Sequence, residues 1–188
     1  DVPGDIFENV ASGPTYKDKT TMSDAEKIIA ENNLGEFILI ETPKEDKYFD
    51  KVYNFVLVSN KTAIEAMAKK AEEFNFGANI ISTELYDETN KALEKIFSME
   101  KENLVTLAAG EPSVTVSKNG GKGGRNLHMG LEVIKNKLID NKNFQNSVFI
   151  SLASDGMDNS DVAGAIVDKN TIEKAEKIKR NLGEGSPT

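Results

Sequence analysis

A glycine-rich loop leads directly into an apolar helical pattern in residues 118–134, which read Lys-Asn-Gly-Gly-Lys-Gly-Gly-Arg-Asn-Leu-His-Met-Gly-Leu-Glu-Val-Ile. The four glycines of the loop are Gly120, Gly121, Gly123 and Gly124. Glycine lacks a Cβ, so such a backbone can approach a ligand closely. The helix that begins at Arg125 or Asn126 offers unpaired N–H groups at its positive end, and the Arg125 guanidinium adds a planar fork of donors. We predict a phosphate or carboxylate site here, although a flexible connector with solvated lysines fits the loop alone equally well.

The composition limits the classes of protein and of site. The chain has 188 residues, a net charge of −8, no cysteine and one histidine. The acidic net charge argues against nucleic acid as a partner. The absence of cysteine excludes disulfides and cysteine metal sites, and the single histidine excludes a multi-histidine metal centre. No apolar run is long enough to span a membrane and no signal peptide is evident, so the expected location is the cytoplasm, without a membrane partner. The sequence starts at Asp1 and not at Met, which suggests a fragment.

Helical and strand-like patterns alternate along most of the chain. The predicted helices are an N-terminal one with a capping box formed by Ser23 and Glu26, then 62–74, 88–97, 125–139 and 171–181, the last capped by Asn170 or Thr171. The predicted strands are 53–58, 76–82, 104–109, 114–117, 148–153 and 165–168. This alternation predicts an α/β fold, a three-layer, Rossmann-like mostly parallel sheet with helices on both faces. The tight turn before 114–117 makes that strand antiparallel to its neighbour, so the sheet is mixed.

Three polar loops follow predicted strands, where α/β sheets bind ligands. Glu111 follows one strand, the glycine loop follows the next, and Asp155, Asp158 and Asp161 follow a third. Carboxylates of this kind suit Mg²⁺, but turn formation explains them as well. Glu111 could hold a lysine, a metal or a hydroxyl group, or could be a solvated turn residue.

Two further sets of polar residues are weaker candidates. The N-terminal loop carries Asp1, Asp5, Ser12 and Thr15, which could face a ligand, although from the sequence alone solvated turn residues are the better interpretation. The single histidine, His128, lies three residues after Arg125 and therefore on the same side of the predicted helix.

Several motifs resemble those of class II glycerate kinases, the family with a MOFRL domain at its C-terminal end. In chain order they are Asp1-Val2-Pro3-Gly4-Asp5, Ala11-Ser12-Gly13-Pro14-Thr15, Gly110-Glu111, Gly123-Gly124-Arg125-Asn126, Ser154-Asp155-Gly156-Met157-Asp158 and Ala163-Gly164-Ala165-Ile166-Val167-Asp168. The resemblance implies phosphorylation of D-glycerate to 2-phosphoglycerate by ATP with Mg²⁺, in a cleft between two α/β domains. It also implies that residues 1–47 end the first domain and that 48–188 form a truncated MOFRL domain.

The resemblance and the loop chemistry together give a set of candidate site residues. The candidates are Arg125, Asp5 and Asp1 for catalysis, Ser12, Thr15, Glu111, Gly120, Gly121, Gly123, Gly124 and Asn126 for substrate or nucleotide binding, and Asp155 and Asp158 for the metal. The family also uses a lysine of the first domain that these residues do not include, so the isolated chain is expected to be inactive.

The motifs also depart from the family pattern. Leu127-His128 stands where the family usually has Gln-Glu, Pro112 replaces a threonine, and the aspartate loop is one residue shorter. Two alternatives therefore stay open: a non-catalytic paralogue that binds an anionic metabolite, and a hydroxypyruvate reductase. The reductase has the weaker case, because the glycine loop does not fit the dinucleotide fingerprint. The oligomeric state is also open, with a homo-oligomer among the options.

Overall fold

The computed structural model describes residues 6–99, 101–116, 118, 120–136 and 146–182. It divides the chain into two compact units between Ser59 and Asn60, here called the N-terminal and the C-terminal unit. The domain boundary predicted from the sequence, after residue 47, lies inside the N-terminal unit and stays a prediction. Within the described ranges, no helix combines the length and the apolar character needed to cross a bilayer.

Helices and strands alternate through the C-terminal unit, which confirms the predicted α/β class. In chain order the elements are α1 (Met22–Asn32), α2 (Asn60–Glu73), β1 (Gly77–Leu85), α3 (Thr89–Phe97), β2 (Leu104–Gly110), α4 (Arg125–Lys135), β3 (Phe149–Leu152), β4 (Gly164–Val167) and α5 (Lys169–Leu182). Two short 3-10 helices, Phe7–Ser12 and Asp46–Tyr48, lie in the N-terminal unit.

The N-terminal unit contains α1 and otherwise irregular chain. Among the described residues 6–59, no residue is buried. Apolar side chains such as Ile38 and Leu57 are 96% and 89% exposed. The described part of this unit is therefore held by exposed hydrogen bonds and ion pairs, such as those from Thr15 to Asn54 and from Lys17 to Asp46, because it has no buried apolar core.

The described strands form two pairs. β1 and β2 pair in parallel, with α3 as the crossover between them, and β3 and β4 pair antiparallel. Parallel and antiparallel pairing are thus both present, as predicted. Among the described strands there are two two-stranded sheets and no single continuous sheet.

The core of the C-terminal unit lies between α3, α4, α5 and the β3–β4 pair. Val133 of α4 and Val167 of β4 are 0% and 1% exposed, and Phe97 stacks on Phe149 with ring centroids 5.8 Å apart. Burying a valine side chain stabilises a fold by roughly 1.5–3 kcal/mol. This packing fixes α4 on the β3–β4 pair, and therefore fixes where α4 begins.

Two predicted strands are wrong. Residues 53–58 form no strand, and Phe55 and Leu57 are largely exposed. Residues 114–116, the described part of the strand predicted at 114–117, form no strand, and the preceding Ser113 makes a single parallel bridge to Glu88. An apolar run becomes a strand only when a neighbouring chain satisfies its backbone groups, and neither run has such a neighbour along its described length. The antiparallel pair is accordingly β3–β4.

Two helix starts also differ from prediction. The N-cap of α1 is Thr21, and its capping box uses Asp24, whereas the sequence suggested Ser23 and Glu26. The start of α5 is held by Asp168, whose Oδ1 accepts from N and Oγ1 of Thr171 at 2.8 and 2.7 Å. Both predicted N-caps lie at least two residues C-terminal to the observed ones. Several short polar residues in each segment suit an N-cap, so the sequence does not distinguish between them.

Candidate functional site

Glu111 and Arg125 meet at the edge of the β1–β2 pair. Nη1 of Arg125 lies 2.6 Å from Oε1 of Glu111, with the two side chains 37% and 49% exposed. Glu111 is held at this edge because its N–H donates to the Leu85 carbonyl at 2.9 Å. The preceding residue, Gly110, has φ 152° and lies so close to the Leu85 backbone that a Cβ would be 2.2 Å from its nitrogen. Only glycine fits there, and the tight approach positions Glu111.

Helix α4 begins at Arg125, as predicted, but its own N-cap supplies no side-chain hydrogen bond. The N-cap is Gly124. Asp158, a residue of the β3–β4 connection, provides the side-chain acceptor that Gly124 lacks. Oδ1 of Asp158 accepts from N and Nδ2 of Asn126 at 3.2 and 3.0 Å, and Oδ2 accepts from N of Leu127 at 2.7 Å. The positive end of the helix therefore already binds a carboxylate of this chain.

Gly124 allows this close approach. A Cβ at this position would lie 2.3 Å from Oδ1 and 2.7 Å from the carbonyl oxygen of Asp158. Gly123 has φ 134°, which also favours glycine. The glycines next to α4 thus serve packing and turn geometry in addition to any contact with a ligand.

Asn126 joins Asp158 to strand β3. Its Nδ2 donates to Asp158, and its Oδ1 accepts from Oγ of Ser151 at 2.6 Å. Sequence reasoning missed Ser151. A polar residue in the middle of the apolar strand β3 was the available signal, but its partner lies 25 residues away in sequence.

The two candidate metal ligands have different surroundings. Asp158 is 4% exposed, and both of its carboxylate oxygens accept hydrogen bonds, which argues against a role as a metal ligand. Asp155 is exposed, and its Oδ1 accepts from N of Met157 at 3.0 Å, as in an Asx turn. Among the described residues, no group of three or more acidic or histidine side chains could hold a metal ion. Of the two, Asp155 is the more exposed carboxylate, and its role as a metal ligand stays a prediction.

The remaining candidates are dispersed. Gly120 and Gly121 lie in the irregular chain before α4, and a Cβ at Gly121 would have open space around it. Ser12 and Thr15 belong to the N-terminal unit, where Oγ1 of Thr15 donates to Oδ1 of Asn54 at 2.8 Å. Asp1 and Asp5 lie outside the described residues, so their predicted catalytic roles stay predictions.

The structure thus brings five residues together around the start of α4: Glu111, Arg125, Asn126, Ser151 and Asp158. Both cationic features predicted from the sequence, the guanidinium and the helix end, are compensated by carboxylates of the same chain. An anionic ligand must therefore compete with Glu111 or Asp158, or use donors that these two residues leave available.

A family match covers the residues around the start of α4. The MOFRL family matches residues 104–184, which include all five residues around the start of α4. Residues 104–184 of the chain belong to the MOFRL family. A second match, to a domain of unknown function (DUF4147), covers residues 1–41.

Similar proteins include characterised kinases. Glycerate 2-kinase of Pyrococcus horikoshii is 34% identical over 200 residues, which cover 93% of this chain and 44% of that protein. D-glycerate 2-kinase of Thermotoga maritima is 30% identical over 200 residues, which cover 98% of this chain and 45% of that protein. A crystal structure of glycerate kinase from Thermotoga maritima matches with a TM-score of 0.70 at 28% identity, over 95% of this chain and 45% of that one. This chain therefore spans less than half the length of these relatives.

Proposed function

We propose that the whole protein carrying this chain is an ATP-dependent glycerate 2-kinase that converts D-glycerate to 2-phosphoglycerate. Support comes from the two glycerate 2-kinases that align with nearly all of this chain. The observation that carries the proposal is the placement of Arg125, a guanidinium at the start of a helix next to a glycine loop. Arginine in such a position suits the carboxylate of a substrate or the phosphate being transferred.

In the proposed reaction a hydroxyl oxygen of glycerate attacks the γ-phosphorus of ATP, ADP leaves with the β–γ bridging oxygen, and the hydroxyl proton is released to water. Phosphoryl transfer depends mainly on positioning and on neutralisation of charge. Arg125 supplies a fixed positive charge, and the glycine loop supplies backbone N–H donors. Mg²⁺, when bound, would neutralise the charge of the phosphates. Asp155, whose carboxylate is exposed, would be its protein ligand. Asp5 would orient the reacting hydroxyl.

Glu111 has a defined part in this proposal. It holds one terminal nitrogen of the Arg125 guanidinium, and a guanidinium has five N–H donors in a planar fork. The remaining donors can bind a carboxylate or phosphate while Glu111 keeps the fork in one orientation.

The test uses the full-length protein with D-glycerate, ATP and Mg²⁺, with product analysis that distinguishes 2-phosphoglycerate from 3-phosphoglycerate. We expect 2-phosphoglycerate, and we expect Arg125→Ala to lower kcat by about 10²–10³-fold while the circular dichroism spectrum stays unchanged. Lys135→Ala is the matched control, because Lys135 is an exposed cation at the other end of α4 that pairs with Glu132. Near-normal turnover of Arg125→Ala would contradict the role of Arg125.

A second candidate function is a non-catalytic module that binds an anionic metabolite. The departures from the family pattern at Leu127-His128 and Pro112 favour it, because they lie directly next to Asn126 and Glu111. Binding of glycerate or nucleotide by the full-length protein, without any product, would support this function and exclude the kinase. Nothing in the described loop geometry favours the hydroxypyruvate reductase, and a change in nicotinamide absorbance with hydroxypyruvate would be needed to support it.

A further inference from the structure

We propose that Asp158 is a positioning residue, which fixes the first turn of α4 and thereby the orientation of the Arg125 guanidinium. Its kinetic consequences rest on the proposed kinase function, but its structural consequences do not. Asp158 is one of only three buried polar or charged residues in the described part of the chain, with an exposed fraction of 4%. A buried carboxylate is costly unless its oxygens are hydrogen-bonded, and here both oxygens are used at one helix end.

Asp158 is itself held rigidly. Its backbone N donates to the Val162 carbonyl at 2.9 Å, and the nearby N of Ala153 donates to the Ala163 carbonyl at 2.8 Å. Both bonds join residues within the connection between β3 and β4. The carboxylate is therefore carried by the β3–β4 pair, which also packs against α4 through the core. It acts as a fixed point on the sheet to which the helix start is attached.

Asn126 provides the direct link to Arg125. Its backbone and side-chain nitrogens donate to Asp158, and its side-chain Oδ1 accepts from Oγ of Ser151. The residue after Arg125 is thus held at both the main chain and the side chain. Because Arg125 is the first residue of the helix, its main chain has no preceding helical turn to order it. The attachment of Asn126 and Leu127 supplies that order.

The same contacts decide where a substrate anion does not bind. The N–H groups of Asn126 and Leu127 already donate to Asp158, so they are not available to phosphate. An incoming anion is left with the Arg125 guanidinium and the backbone of the glycine loop. In this arrangement the start of α4 has a structural role, because it positions the Arg125 guanidinium. The guanidinium makes the contact with the substrate.

The experiment is a double-mutant cycle in the full-length protein with Asp158→Asn and Arg125→Lys. Lysine keeps the positive charge as a flexible point charge, so its action depends little on orientation. We expect Asp158→Asn to lower kcat by roughly 10–100-fold in the Arg125 background, the scale for misplacing a catalytic group by about 1 Å. We expect a much smaller loss in the Arg125→Lys background. Equal losses in the two backgrounds would overturn the proposal, because independent effects add.

Two readouts separate positioning from other roles of Asp158. The Mg²⁺ concentration for half-maximal activity should not change in Asp158→Asn, whereas a rise that high Mg²⁺ reverses would identify a metal ligand and overturn the proposal. Asp168→Asn is the matched control, because Asp168 holds the start of α5 with the same type of bonds. An equal kinetic loss in Asp168→Asn would show that any weakened helix start has this effect.

A third readout does not depend on activity. Hydrogen exchange should become faster at the amides of Asn126 and Leu127 in Asp158→Asn and stay unchanged in Asp168→Asn. If the wild-type protein makes no phosphoglycerate, the proposed function fails, yet the exchange result still decides whether Asp158 fixes the helix start. Unchanged exchange in Asp158→Asn would overturn the proposal. Ser151→Ala serves if Asp158→Asn does not fold, and it should show a smaller loss of kcat with the same dependence on Arg125.

Discussion

Helices α1 and α4 are closed at their N-termini in two different ways. In α1 the partners are Thr21 and Asp24, which are exposed and three residues apart. In α4 the partner of Asn126 is Asp158, a buried residue 32 positions further along the chain. A local cap stabilises only its own helix, whereas the cap of α4 also attaches the helix to the β3–β4 pair. The second kind can therefore transmit position as well as stability.

The difference in burial also changes the expected energies. Replacing an exposed N-cap residue by alanine costs about 1 kcal/mol. Hydrogen bonds to a charged group contribute about 1.5–3 kcal/mol each, and buried groups that lose their partner incur a further desolvation cost. Disturbing the start of α4 should consequently have larger effects than disturbing the start of α1.

The largest effect in this comparison is expected from Gly124→Ala. The added methyl group would occupy the position of the Asp158 carboxylate, which must move away, and overpacking of this kind costs about 1–3 kcal/mol. We expect a lower melting temperature of the full-length protein together with a loss of kcat larger than twofold.

Gly130→Ala is the control for this prediction, since a Cβ there would lie 2.4 Å from Cβ of Ala165, away from Asp158. It should lower the melting temperature by a similar amount or less, because alanine favours the helix by about 1 kcal/mol. Its loss of kcat should be smaller than that of Gly124→Ala, because Asp158 keeps its bonds to the start of α4. A wild-type kcat in Gly124→Ala would mean that closing α4 through Asp158 has no part in the activity.

A smaller effect is expected from Thr21→Ala. The substitution removes the hydroxyl that accepts from N of Asp24 at 3.3 Å, and the expected cost is about 1 kcal/mol. Hydrogen exchange across α1 measures this locally. Thr21→Ser keeps the hydroxyl and should exchange like the wild type, and neither variant should change kcat. A change in kcat would show that the cap of α1, too, acts beyond its own helix.

The same contrast explains what the sequence could predict. Periodicity located α2, α3, β1 and β2, because these patterns arise from residues close together in the chain. The pairing of Arg125 with Glu111 was within reach, since both residues lie in the polar chain that follows strand β2 and leads into α4. The bond from Asp158 to Asn126 was not, because it depends on how the β3–β4 connection folds back onto α4. The strand predicted at 53–58 failed for a related reason: apolar composition does not supply a pairing partner.

The smallest effect is expected on stability at acidic pH. It tests whether a local carboxylate cap contributes the same stability in the two units. Hydrogen bonds from the side chain and backbone of Thr21 lower the pKa of Asp24, and those of Thr171 lower the pKa of Asp168. A lowered pKa in the folded state means that the stabilisation is complete above the unfolded value, near 3.9, and is lost as the pH falls through the folded value. Stability should therefore decline below about pH 4.

Asp24→Asn and Asp168→Asn should each flatten this decline, as measured by the melting temperature between pH 6 and about pH 3. Because Asp24 and Asp168 titrate under similar local bonds, the two variants should behave alike even though one helix has a buried core beneath it and the other does not. A flattening in Asp168→Asn alone would mean that a local cap contributes to global stability only where its helix is packed. The contribution of a cap to global stability would then depend on how well its helix is packed. Asp158 would be the most buried of three similar caps and not a separate kind of contact.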